Sequence, residues 1–194
     1  MPSRDGRGMF ADALMGRMPN LPVEEEGWLS DAHLRENFIE RIFAYHRMRA
    51  LFGTRWSRGA LVAFHTAHKL TLMAHSPRAY AELGRLVAEA KTIKREELRT
   101  RYESEFMAAM KRLATAARHA NVMQHIAGYL RGHLDDDSRG ELMGLIEEYR
   151  RGMVPLIVPL TMIRHWVRRF DIAYLKGQTY LEPHPRELML RNHV

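Results

Sequence analysis

The chain has 194 residues, 46% of them apolar and 27% charged, with a formal net charge of +7. That is the composition of a globular chain with room for one sizeable domain, and it excludes a largely disordered one. The absence of cysteine excludes disulfides, thiolate nucleophiles and Cys-ligated zinc or iron–sulfur sites within these residues.

The charge is uneven. Residues 1–50 hold seven Lys/Arg against eight Asp/Glu, so the positive excess lies wholly in 51–194. A body of that sign, with a pI near 10, suits phosphate-rich partners. Residues 1–29 read as an irregular leader, with Pro2, Pro19, Pro22, four glycines and the acidic run Glu24–Glu26. Its charges precede no apolar core segment, so it does not read as a signal peptide.

Helices follow in order. Ser30 is placed to cap a helix reaching Phe52, with Leu34, Phe38, Ile42 and Tyr45 on its apolar face. Ser57 caps the next, over 57–74, and Ser76-Pro77 opens another over 77–90. The stripe Leu98, Tyr102, Phe106, Ala109, Met110, Leu113 and Ala117 predicts one helix over Lys94–Arg118. Further helices are expected over Val122–His133 and, from a capping box at Ser138–Glu141, up to Gly152. The last long helix is expected over Pro159–Tyr174, before a loop-like tail containing Pro183 and Pro185. No alternating strand pattern occurs. The expected fold is all-α, a single bundle of about six to eight helices over 30–194 behind the leader.

The segment YRRGMVPLIVPLTMIRHWVRR (Tyr149–Arg169) is the least ordinary part of the chain. Two prolines four residues apart each remove a backbone donor, so Met153–Met162 reads as a buried, bent lead-in that aims the following helix. The apolar run there is too short to span a bilayer, and the expected location is the cytoplasm.

Arg164 with Arg168 and His165 with Arg169 form two basic rows at i, i+4, and all are expected to meet phosphate. Lys69, Arg78, Arg150, Arg151 and Arg191 extend that surface. Trp166, Tyr174 and Tyr180 offer faces on which an unpaired base could stack.

Chemistry is harder to place. His65, His68 and His75 recur along one helical stretch and His119 and His125 along another, but no carboxylate accompanies either group as a zinc site would require. Neither a nucleophile elbow nor a phosphate-binding Gly-rich loop occurs. Acidic pairs such as Glu96–Glu97 and Glu147–Glu148 read as solvated charge. No catalytic residue, metal or cofactor is therefore expected.

Four segments in order, HKLTLMAHSPRAYAELGRLVA (68–88), RHANVMQHIAGYL (118–130), Tyr149–Arg169 and QTYLEPHPRELMLRN (178–192), resemble the YbgA-type helical domain, a family catalogued as of unknown function. The stretch Leu21–Arg47 resembles the linker from the thiouracil-desulfidase-type domain that commonly precedes it. In such fused proteins the desulfidase part carries a cysteine-bound iron–sulfur cluster and removes sulfur from thiolated uracil. The resemblance implies RNA, and tRNA in particular, as partner of the helical part. With no cysteine this chain cannot hold the cluster. The expectation is an accessory domain that presents thiolated uridine to a desulfidase domain, in cis as one piece of such an enzyme or in trans as a stand-alone relative. The rival readings are a helical protein-interaction or oligomerisation module and a His-based metal-dependent enzyme. Composition and pattern leave the oligomeric state open.

Overall fold

A computed structural model describes residues 8–53 and 55–194. The first seven residues, Pro2 of the leader among them, lie outside the described residues. The fold is all-α, with ten α-helices and no strand among the described residues. The helices are α1 (Met9–Arg17), α2 (Ala32–Phe52), α3 (Arg58–Ala67), α4 (Lys69–His75), α5 (Pro77–Ala88), α6 (Arg95–Met110), α7 (Ala116–Leu130), α8 (Asp136–Arg150), α9 (Ile157–Arg169) and α10 (Ala173–Lys176). The leader contains α1 and a 3₁₀ turn at Glu26–Ser30.

Two apolar clusters meet across α4. One gathers α2, α3, α5 and α6 around Met48, Phe52, Leu61, Leu83, Tyr102 and Phe106. The other gathers α7, α8 and α9 around Met123, Ile126, Leu142, Ile146, Leu160 and Ile163. Helix α4 sends Leu72 into the first, and Leu70 and Ala74 into the second. A helix buried on so many sides belongs at the centre of a fold.

Several boundaries differ from the sequence reading, each for a physical reason. The expected 57–74 helix is two helices, broken at His68. The Thr66 and Ala67 carbonyls accept from Gln178 Nε2 (2.9 Å) and Thr179 N (2.9 Å), and Leu70 N turns to Gln178 Oε1 (3.4 Å). A distant segment thus inserts into the helical ladder and kinks it.

The expected 94–118 helix stops at Met110, whose carbonyl accepts from Asn37 Nδ2 at 3.1 Å. Thr115 then caps α7 through Arg118 N. Asp31, not Ser30, caps α2, and Asp135, not Ser138, caps α8. Helix α9 ends at Arg169 because Asp171 takes a left-handed backbone, φ 55°, a conformation Asp tolerates better than most residues. Gly152 does the same for α8 at φ 75°.

The expected buried lead-in over Met153–Met162 is corrected in part: Met153 is exposed, and α9 already begins at Ile157. Pro159 is the third residue of α9, where a backbone N–H would lack a helical partner anyway. Leu156 N donates to the Val194 carbonyl at 2.6 Å, tying the chain end to this lead-in.

Candidate polyanion-binding site

Helix α9 buries Leu160, Ile163, Arg164 and Val167 and leaves Thr161, His165, Arg168 and Arg169 exposed. The C-terminal segment 181–192 folds back along it. Between them lies a cavity of about 130 Å³ lined by Thr161, Arg164, Arg168, Glu182, His184, Arg186 and Asn192 among others. That is well above the roughly 10–15 Å³ needed to hold one water, so it has room for a small anion.

Arg164 is the defining group. Only 7% exposed, it donates from Nε to Leu160 O (3.2 Å) and from Nη1 to Leu181 O (3.4 Å). No carboxylate lies within ion-pair distance of it among the described residues. Burial, and then the nearby Arg186 and Arg191, push its guanidinium down to about 10. A buried cation without a carboxylate costs free energy until an anion arrives. Arg186 beside it is held by Glu182 at 2.6 Å.

On the outer face Trp166 is half-buried, parallel to Phe170 (5.5 Å, 7°) with the Arg169 guanidinium 5.3 Å from its ring. His133 stacks on Phe170 at 5.0 Å and His165 meets Trp166 edge-on. Arg168 and Arg169 have no carboxylate partner among the described residues.

The other expected contact residues scatter. Lys69 is half-buried in a separate groove beside α5. Arg78 is exposed and paired with Glu82, while Arg150 and Arg151 both grip Glu147 at 2.7 Å. Tyr174 is half-buried against Tyr129 (5.1 Å, 28°).

Two expectations are corrected. Arg191 is buried, bonding Glu36 (3.0 Å) and the Tyr180 carbonyl (2.6 Å). Tyr180 is buried too, its hydroxyl 2.9 Å from His119 Nδ1. Neither can face a phosphate or a base, because both join a polar core the sequence reading missed.

That core centres on α2, which buries Glu36, Asn37, Glu40 and Arg41. The apolar face expected for α2 is displaced accordingly, with Ile42 exposed. Glu40 meets His75 Nε2 at 3.3 Å, and His75 Nδ1 donates to the Arg112 carbonyl at 2.6 Å. Glu40, with Arg112 behind it, raises His75 against the effect of burial. His184 lies 3.8 Å from Glu36, and Arg41 bonds Glu24 at 2.8 Å. The available signal was the i, i+4 pair Glu36/Glu40, which alone looks like any solvated helix face.

The histidines expected as possible metal ligands go separate ways. His65, His68, His75 and His119 are buried in different surroundings, while His125 is exposed. No three His, Asp or Glu side chains group as a metal site needs among the described residues. No described helix is long and apolar enough to cross a membrane.

Fold and site together define a basic all-α module with a buried arginine that forms no ion pair among the described residues, and an adjoining aromatic–cation face. Residues 69–185 match the family described as protein of unknown function (DUF1722), and the chain belongs to that family. It is 37% identical over 158 residues to the uncharacterized protein YbgA of Escherichia coli (strain K12), covering 81% of this chain and 94% of that protein. No solved structure matches it.

Proposed function

We propose that this chain is an RNA-binding accessory module, acting in the cytoplasm, that takes tRNA and presents a thiolated uridine to a desulfidase domain in cis or in trans without catalysing the step itself. Arg164 is the observation that carries the reading. A buried guanidinium with no carboxylate in ion-pair reach, opening on a cavity with Arg168 whose one carboxylate, Glu182, is already held by Arg186, is an anion receptor in waiting. Arg169 over Trp166 beside it gives a face on which a base can stack. The partner and substrate class come from the family resemblance of the four sequence segments.

The test is tRNA binding across a salt series. Each phosphate contact contributes roughly 0.7–0.9 to the slope of log affinity against log salt. Arg168→Ala with Arg169→Ala should weaken binding and flatten that slope by about 1.5–2. Arg78→Ala, whose cation is already paired with Glu82, should change little. Absence of binding at low salt, or a slope indifferent to Arg168 and Arg169, refutes the reading.

The protein-interaction alternative draws on α1, which has no buried residue and exposes Met9 and Phe10. A solution mass well above 22.6 kDa without RNA affinity would favour it.

A further inference from the structure

A second concavity lies on another part of the molecule, between α3 and α5. Its volume is about 640 Å³, within the range of sites that hold a nucleoside-sized ligand. Val62, Ala81, Val87 and Ala88 give it apolar walls, and Gly59 and Gly84 keep those walls low. No Asp or Glu lines it, while Arg58, Lys69 and Lys91 do.

The floor holds an unsatisfied group. His65 is 3% exposed and its Nε2 is buried with no hydrogen-bond partner among the described residues. Its Nδ1 lies 3.1 Å from the Tyr102 hydroxyl. That hydroxyl has no other partner among the described residues, and burial raises its pKa further, so it keeps its hydrogen. Pairing that hydrogen makes Nδ1 the acceptor, which places the imidazole proton on Nε2. Burial, with Lys69 adding to it, keeps the ring neutral down to about pH 4.

Nε2–H is therefore a buried donor lacking an acceptor, a group that costs free energy in the empty groove. It faces Gly84, where an added Cβ would sit 3.9 Å away. The Tyr80 ring, half-buried on the opposite helix, lies parallel to His65 within 4°, centroids 6.5 Å apart. Contacting carbons sit roughly 3.5–4.0 Å apart, so the two rings do not stack face to face on each other. They present parallel aromatic planes along one groove.

We propose that this groove takes one unstacked nucleobase of the bound RNA, with His65 Nε2–H donating to a carbonyl of the base and the Tyr80 ring flanking it. The inference rests on the RNA reading and adds to it the place where a base is held. Lys69 and Lys91 then face the sugar–phosphate, while Arg58 is held by the Ala90 and Ile93 carbonyls. The C-terminal segment joins this groove to the Arg164 cavity: Gln178 bonds the carbonyl of Thr66 in the groove wall, and Leu181 accepts from Arg164.

Free uridine, titrated into the full chain while the histidine ring nitrogens are followed by NMR, is the direct probe. A saturable shift at His65, absent with ribose, is expected. His65→Phe keeps a ring and removes the donor, and should weaken uridine about tenfold. Gly84→Leu fills the groove from a half-buried position on α5, should melt no lower than the parent because Gly is a poor helix former, and should abolish the shift.

In tRNA binding Gly84→Leu should lower affinity while flattening the salt slope less than the loss of Arg168 and Arg169 does. An unshifted His65 at saturating uridine, an equal response to ribose, or full uridine binding by Gly84→Leu overturns the proposal. Uridine binding that survives in a variant lacking Arg168 and Arg169, alongside a flattened salt slope for tRNA, upholds the groove. The reverse result, an intact salt slope with no uridine binding, rejects the groove and spares the phosphate reading.

Discussion

Arg191→Ala should destabilise the protein by about 3–5 kcal/mol, the largest effect expected of any single substitution here. The side chain is 4% exposed and stands between two buried carboxylates. Its Nε donates to Glu36 at 3.0 Å, its Nη2 lies 3.7 Å from Glu40, and Nη1 donates to the Tyr180 carbonyl at 2.6 Å. The guanidinium also lies 5.3 Å from the centre of the Tyr180 ring. Without it, Glu36 and Glu40 share the interior with His184 and His75 as their ion-pair neighbours, and like charges at close range cannot both stay ionised cheaply.

The measurement is a urea denaturation series, in which the midpoint should fall at constant slope. Arg191→Met with Glu36→Gln should lie nearer the parent than Arg191→Met alone, because the double change removes a pair rather than orphaning a charge. A single-substitution loss below about 1 kcal/mol would mean that solvent reaches the site and that the pair is worth no more than a surface one.

Arg191 also marks where the sequence stopped being legible. Helix content, the Ser57 and Ser76 caps and the proline lead-in to α9 are local matters, and local spacing revealed them. The burial of Glu36 and Glu40 depends on residues 35 to 155 positions away along the chain. The periodicity of α2 therefore pointed to the wrong face. The break at His68 has the same origin, since Gln178 and Thr179 displace the helical hydrogen bonds of Thr66 and Ala67.

The candidate site divides along similar lines. Exposure of His165, Arg168 and Arg169 follows from α9 having one buried face. Arg164 occupies that buried face, and nothing in a basic row says which arginine turns inward. The orphaned donor of His65 was still less accessible, because it depends on which ring nitrogen Tyr102 satisfies.

Acid should unfold the protein well before its carboxylates are all protonated. Burial holds His68 at about 4, and it holds His65 at about 4 with Lys69 adding to the effect. Burial, then Arg191, brings His119 to about 3. In the unfolded chain each takes up a proton near 6.5. Between pH 6.5 and 4 the unfolded state therefore binds more protons, and stability falls as pH falls. Each of the three contributes up to about 1.4 kcal/mol per pH unit across that window.

Glu36 acts next. Burial pushes its carboxyl up, but His184 and Arg191 outweigh that and hold it at about 2. Its contribution is complete above the unfolded value of 4.5 and is lost as pH falls towards 2. His75 works in the opposite direction: its raised value makes its contribution complete below 6.5 and lost as pH rises through that value. It thus subtracts nothing from the acid effect.

The sum over the histidines reaches several kcal/mol, comparable to a typical domain's entire 5–15 kcal/mol. Urea midpoints measured from pH 7.5 to 4 should fall steadily from about 6.5 downward. His68→Phe isolates one contributor. The His68 ring stacks on Phe64 at 4.1 Å and meets Phe106 edge-on at 5.3 Å, so a phenyl ring fits its place. That variant should lose about 1.4 kcal/mol per pH unit of the slope between 6.5 and 4. A midpoint that stays flat from pH 7 to 5 would mean these histidines accept protons in the folded state, and that the interior around α4 is wetter than its burial implies.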